Sequence, residues 1–72
     1  MSIPKLRLEF ARKLRQERTQ SGLTQERMAE LIGVSARYYQ MLESKKPGAV
    51  TIDTIEKLAK VLKIPAWKLL DS

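Results

Sequence analysis

Thr24–Glu43 reads TQERMAELIGVSARYYQMLE, the pattern of two short helices hinged at one glycine. Thr24 suits the cap of the first, because its hydroxyl can accept a hydrogen bond from the free N–H groups that open a helix. Glu26 falls in the first turn, where a negative charge favours the helix dipole. Met28, Ala29 and Ile32 recur at helical spacing and predict an inward stripe, with Leu31 off it and half-exposed. Gly33 closes this helix, since glycine enters the left-handed backbone region at little cost. Ser35 caps the next, which is expected to run to about Ser44.

That second helix has two unlike sides. At ~100° per residue, Ala36, Arg37, Gln40, Met41 and Ser44 share one of them, and Tyr39 and Leu42 share the other. Tyr38 and Glu43 lie on the flanks. The Tyr39–Leu42 side explains itself as core. The other side has no evident use inside a protein: Arg37 and Gln40 form directional hydrogen bonds, and Met41 offers an adaptable apolar surface. Arginine paired with guanine is the commonest specific major-groove contact, and apolar groups can touch the thymine methyl. An ordinary solvated helix face has much the same composition, so this face alone does not decide.

The flanking chain predicts more helix. From Ser2 to Ser21, Leu6, Phe10, Ala11 and Leu14 repeat at helical spacing, and Pro4 is tolerated in a first turn. Gly22 ends that helix. Lys45-Lys46-Pro47-Gly48-Ala49 reads as a loop, with both chain breakers side by side. Thr51 caps a fourth helix with Ile52, Ile55, Leu58, Ala59 and Leu62 on one face. A last short helix starts around Pro65 and carries Ala66, Trp67, Leu69 and Leu70. No segment alternates at period two, so the expected fold is all-α: five short helices around one core, in a single domain spanning residues 1–72.

Composition narrows function by exclusion. The chain has no cysteine and no histidine, which removes thiolate sites, the commonest metal ligand and the commonest general base. No metal and no cofactor are expected. Glu26 and Glu30 lie four apart on one helix face, but Arg27 stands between them and no pocket-forming loop adjoins, so a solvated face is the better reading and an enzyme is not expected. No apolar run approaches the ~20 residues of a membrane span, and the basic N-terminus lacks a signal-peptide segment, so a cytoplasmic location follows. Lys and Arg outnumber Asp and Glu by 14 to 8, and a net charge of +6 on so small a surface suits a polyanionic partner.

Taken in order, Gly22-Leu23-Thr24-Gln25-Glu26, Met28-Ala29, Gly33-Val34-Ser35, Glu43 and Lys57-Leu58-Ala59-Lys60 resemble the lambdoid-repressor and Cro helix-turn-helix family, also called the xenobiotic-response-element family. The resemblance covers roughly residues 10–70. It implies a compact lambda-repressor-like fold with the helix-turn-helix at the second and third helices, and a transcription regulator, of the small prokaryotic or phage repressor class, that binds double-stranded DNA. It also implies a two-fold dimer on a palindromic operator, associated with the nucleoid when bound. By position, Ala36, Arg37 and Met41 fall where the family reads bases, and Gln40 where a phosphate or base contact is common. Thr24 and Gln25 fall where it grips a phosphate at a helix N-terminus, and Ser44, Lys45 and Lys46 near the loop that touches the backbone. Tyr38 has two readings, a phosphate contact or a ring covering the core edge. Arg18 and Glu43 match a family salt bridge between the first and third helices. Ala36 stands where an amide often reads adenine and bonds the helix-two glutamine, and Lys45 stands where glycine is common. Trp67, with Leu70 and Ile64, is expected either at a dimer contact or folded over the fourth helix. DNA-binding antitoxins and controller proteins share this plan, and a protein-interaction module on the same scaffold is the competing function.

Overall fold

A computed structural model describes residues 3–45, 48 and 50–70, with side chains from Arg7 onward. Every element among the described residues is helical: α1 (Ile3–Gln20), α2 (Gln25–Ile32), α3 (Ala36–Leu42), α4 (Ile52–Leu62) and α5 (Trp67–Leu70). The hydrophobic positions explain the packing. Phe10 and Leu14 of α1, Met28, Ala29 and Ile32 of α2, Tyr39 and Leu42 of α3, Ile55, Leu58, Ala59 and Leu62 of α4, and Leu69 of α5 form one buried cluster. α2 packs on α3 and on α4, while α5 packs back on α1. Leu31 stays outside this cluster at 43% exposure.

The corners between helices follow one local rule. After α1, Gly22 takes a left-handed conformation (φ 74°), and the N–H of Leu23 reaches back to the carbonyl of Arg18. After α2, Gly33 (φ 78°) and Val34 repeat the device, Val34 N–H donating to the Ala29 carbonyl at 2.9 Å. After α4, Lys63 takes the left-handed place (φ 59°) and Ile64 N–H donates to Ala59. This is the Schellman closure, which satisfies carbonyls left over at a helix end. In each case the residue after the left-handed one is apolar (Leu23, Val34, Ile64) and packs against the core. At the first two corners a capping hydroxyl comes next: Thr24 Oγ1 accepts from Arg27 N–H and Ser35 Oγ from Tyr38 N–H, both at 3.0 Å. Thr51 opens α4 in the same way, accepting from Thr54 N–H.

Two expectations are corrected. α3 ends at Leu42 and not at Ser44, because Glu43 leaves helical geometry (φ −97°, ψ 3°) with its side chain drawn back towards α1. The N–H groups of Glu43 and Ser44 then bond three residues back, to Gln40 and Met41, tightening the last turn. Ile52 is not on the buried face of α4; it is 76% exposed. It directly follows the cap, and the core reaches the α4 stripe only from Ile55 onward. Of the two leucines of α5, Leu69 is buried and Leu70 is 46% exposed.

Candidate nucleic-acid interface

Three helices meet behind α3 at one carboxylate. Arg18, in the last turn of α1, donates from Nε to Glu43 Oε2 at 2.7 Å and from Nη2 to Oε1 at 3.1 Å, a bidentate pair. Its Nη1 donates to the Leu23 carbonyl at 2.7 Å, tying the same guanidinium to the α1–α2 corner. Gln25, the first residue of α2, donates from Nε2 to Glu43 Oε1 at 3.1 Å. A carboxylate only accepts, so the Gln25 amide must turn its NH₂ inward and its carbonyl oxygen away. The Glu43 side chain is 2% exposed and that of Arg18 11%.

Charge and burial oppose each other here. Burial is the largest single influence on Glu43 and pushes its carboxyl upward, but the hydrogen bonds from Arg18 and Gln25, with the polar Tyr39 hydroxyl nearby and the Arg18 charge, outweigh it and hold the group below the ordinary glutamate range. The hydrogen bond to Glu43 raises Arg18 further, against desolvation. Burial, then the adjacent carboxylate, push the Tyr39 phenol far above its ordinary value, so it stays neutral. Its hydroxyl is buried beside the pair yet lies outside good hydrogen-bond geometry.

This knot fixes the back of α3 and leaves its front open. Arg37 and Gln40 are exposed, and Arg37 makes no ion pair among the described residues. Ala36, Tyr38 and Met41 are half-buried and lean against the core. The Tyr38 ring therefore does cover core edge. Met41 has a second engagement, since its sulfur accepts the Gly48 N–H at 2.8 Å and holds the chain after α3 close to the helix. A Cβ at Gly48 would come within 3.2 Å of that sulfur.

The other sequence-derived positions divide between work inside the fold and exposure. Thr24 caps α2 and Gln25 holds Glu43, while the Ser44 hydroxyl donates to the Met41 carbonyl at 2.7 Å. Lys45 is exposed just beyond α3, and Lys46 lies outside the described residues. Trp67 is 63% exposed, Leu70 is also exposed and Ile64 is half-buried. The Gln25–Glu43 bond escaped the sequence reading, although Ala36 carried the clue: without an amide at that position, Gln25 needs another partner.

The helix-turn-helix family, in its Cro/C1-type form, matches residues 14–66, which include α2, α3 and the knot behind them. The chain belongs to that family. It is a DNA-binding transcription regulator. Its fold is similar to the crystal structure of the restriction-modification controller protein C.AhdI from Aeromonas hydrophila, with a TM-score of 0.80 and 35% identity over 86% of this chain and 92% of that one. No curated protein matches the sequence. None of the described helices is long and apolar enough to cross a membrane.

Proposed function

We propose that residues 1–72 act as one cytoplasmic, non-enzymatic DNA-binding domain that recognises a specific operator through the exposed face of α3. Arg37 supplies the directional base contact, with Gln40 beside it, while Ala36 and Met41 offer apolar surface to thymine methyl groups. The backbone is gripped by the free N–H groups of Thr24 and Gln25 at the start of α2, by the Tyr38 hydroxyl, and by Ser44, Lys45 and Lys46 after α3. Two copies meet through Ile64, Trp67 and Leu70 on a palindromic site, because one recognition helix reads few base pairs and doubling it raises affinity without new chemistry. Similarity to a restriction-modification controller protein favours a controller-type regulator over an antitoxin.

The observation that carries this reading is the combination of an exposed Arg37, in no ion pair among the described residues, with a helix clamped from behind by Arg18, Glu43 and Gln25. A reading head must be rigid in order to discriminate, and α3 is held rigidly on the side away from solvent. Selection of bound duplexes from a random pool, followed by gel-shift titration, tests it. The selected site should be palindromic. Arg37→Ala should cost ~1–3 kcal/mol on that site and little on random DNA. Unchanged preference in the variant would remove Arg37 from the readout.

A further inference from the structure

One side of α1 remains unused by the interface described above. Between α1 and the end of α3 lies an open groove of about 400 Å³, its lining drawn chiefly from Leu8, Glu9, Arg12, Arg15, Glu43 and Lys45. Arg12 and Arg15, three residues apart, are neighbours on the side of α1 that lines this groove. Arg18 is consumed by Glu43 and Leu23. Arg12, Arg15 and Lys45 are exposed and make no ion pair among the described residues. With Glu43 neutralised by Arg18, Glu9 is the one remaining carboxylate in the lining. One of its oxygens is buried without a hydrogen bond.

We propose that this groove is a second phosphate-binding shelf, on which Arg12, Arg15 and Lys45 hold the DNA backbone flanking the stretch that α3 reads. It rests on the proposal that duplex DNA is the partner, and it adds two residues that base recognition does not need. Charge complementarity names the occupant: Arg12, Arg15 and Lys45, in no ion pair among the described residues, face a single carboxylate in a groove that starts at Glu43, where the recognition helix ends. The reach fits too. Arg12 to Arg15 spans ~4.5 Å of helix axis, about one phosphate step of a strand at ~3.4 Å, and Lys45 extends the row from the end of α3. The shelf contributes affinity and salt dependence, not sequence preference.

The test compares Arg12→Gln/Arg15→Gln with Lys60→Gln/Lys63→Gln, which removes equal charge from exposed positions at the end of α4, outside the groove. Gel-shift titrations on the selected duplex and on a random one are run across a series of salt concentrations. The α1 variant should flatten the slope of log K against log salt by ~1–2, about 0.9 for each phosphate no longer neutralised, and weaken both duplexes by the same factor. The α4 variant should change the slope much less. Equal flattening in both variants, an unchanged slope, or altered sequence preference in the α1 variant would overturn the shelf. Wild-type protein with no preference among duplexes overturns the reading of α3 alone, since the slope comparison still reads the shelf; absence of any DNA binding overturns both. A rise in thermal midpoint with inorganic phosphate that the α1 variant loses, while its DNA slope stays intact, would give the groove to a small anion and overturn the proposal. If the α1 variant folds poorly by circular dichroism, Glu9→Gln reads the same shelf in the opposite sense. It should tighten every duplex equally, and unchanged affinity would overturn the shelf.

Discussion

Glu43 accepts hydrogen bonds from Arg18 and Gln25 while almost sealed from water, so losing one partner differs from losing a surface ion pair. Removing either charge strands the other. Arg18→Ala and Glu43→Ala should each lower stability by ~3 kcal/mol, and the double variant by clearly less than the sum, as read by urea denaturation. The pH dependence has a definite sign. Glu43 titrates lower in the folded chain than its ordinary 4.5, so its contribution is complete above that value and fades as pH falls through the depressed folded value. Wild type should therefore lose stability below about pH 4.5 more steeply than Glu43→Gln, and parallel curves would contradict the assignment. Tyr39→Phe should change stability by less than ~1 kcal/mol, because the buried hydroxyl makes no formed bond. At this level the sequence is only partly legible. Arg18 and Glu43 could be paired through family resemblance, but nothing in the residue order says that Gln25 turns to the same carboxylate. That choice depends on where three helix ends meet in space.

The corners explain why the elements themselves are easier to read. Gly22 and Gly33 mark two helix ends by residue type, and Thr24, Ser35 and Thr51 mark three starts, so those boundaries follow from local chemistry. Gly33→Ala should cost ~1–2 kcal/mol, since an added Cβ meets no neighbour and the penalty is purely one of backbone conformation. The end of α4 uses the same geometry without glycine, and residue type does not announce it. Lys63→Gly should accordingly stabilise the fold, by up to ~1 kcal/mol, as seen in thermal or urea midpoints. The length of α3 was not legible for a related reason. Its last turn is set by the pull of Arg18 on Glu43, a partner 25 residues away in the chain. Ile52 has helical spacing with the α4 stripe, but periodicity cannot say where a core stops.

At the level of the molecule, hydrophobic periodicity sufficed for an all-helical fold, and the surface carries what it left open. A chain with net charge +6 exposes Trp67 and Leu70 on one short helix and Arg37 and Gln40 on another. If α5 joins two copies, sedimentation equilibrium should show a concentration-dependent dimer that Trp67→Ala shifts towards monomer with little loss of fold. Trp67 is the one tryptophan, so a blue shift of its emission with rising concentration would report the same event. The repeated corners also govern how such a chain can change. An extra residue inserted between Gly33 and Ser35 would separate the left-handed closure of α2 from the cap of α3, so that the Val34 anchor and the Ser35 hydroxyl could not both keep their places. Insertions and deletions at the short joints before α2 and α3 should therefore weaken the frame itself, whereas substitutions on the outward side of α3 should, on the proposed function, alter the choice of operator and leave the frame intact.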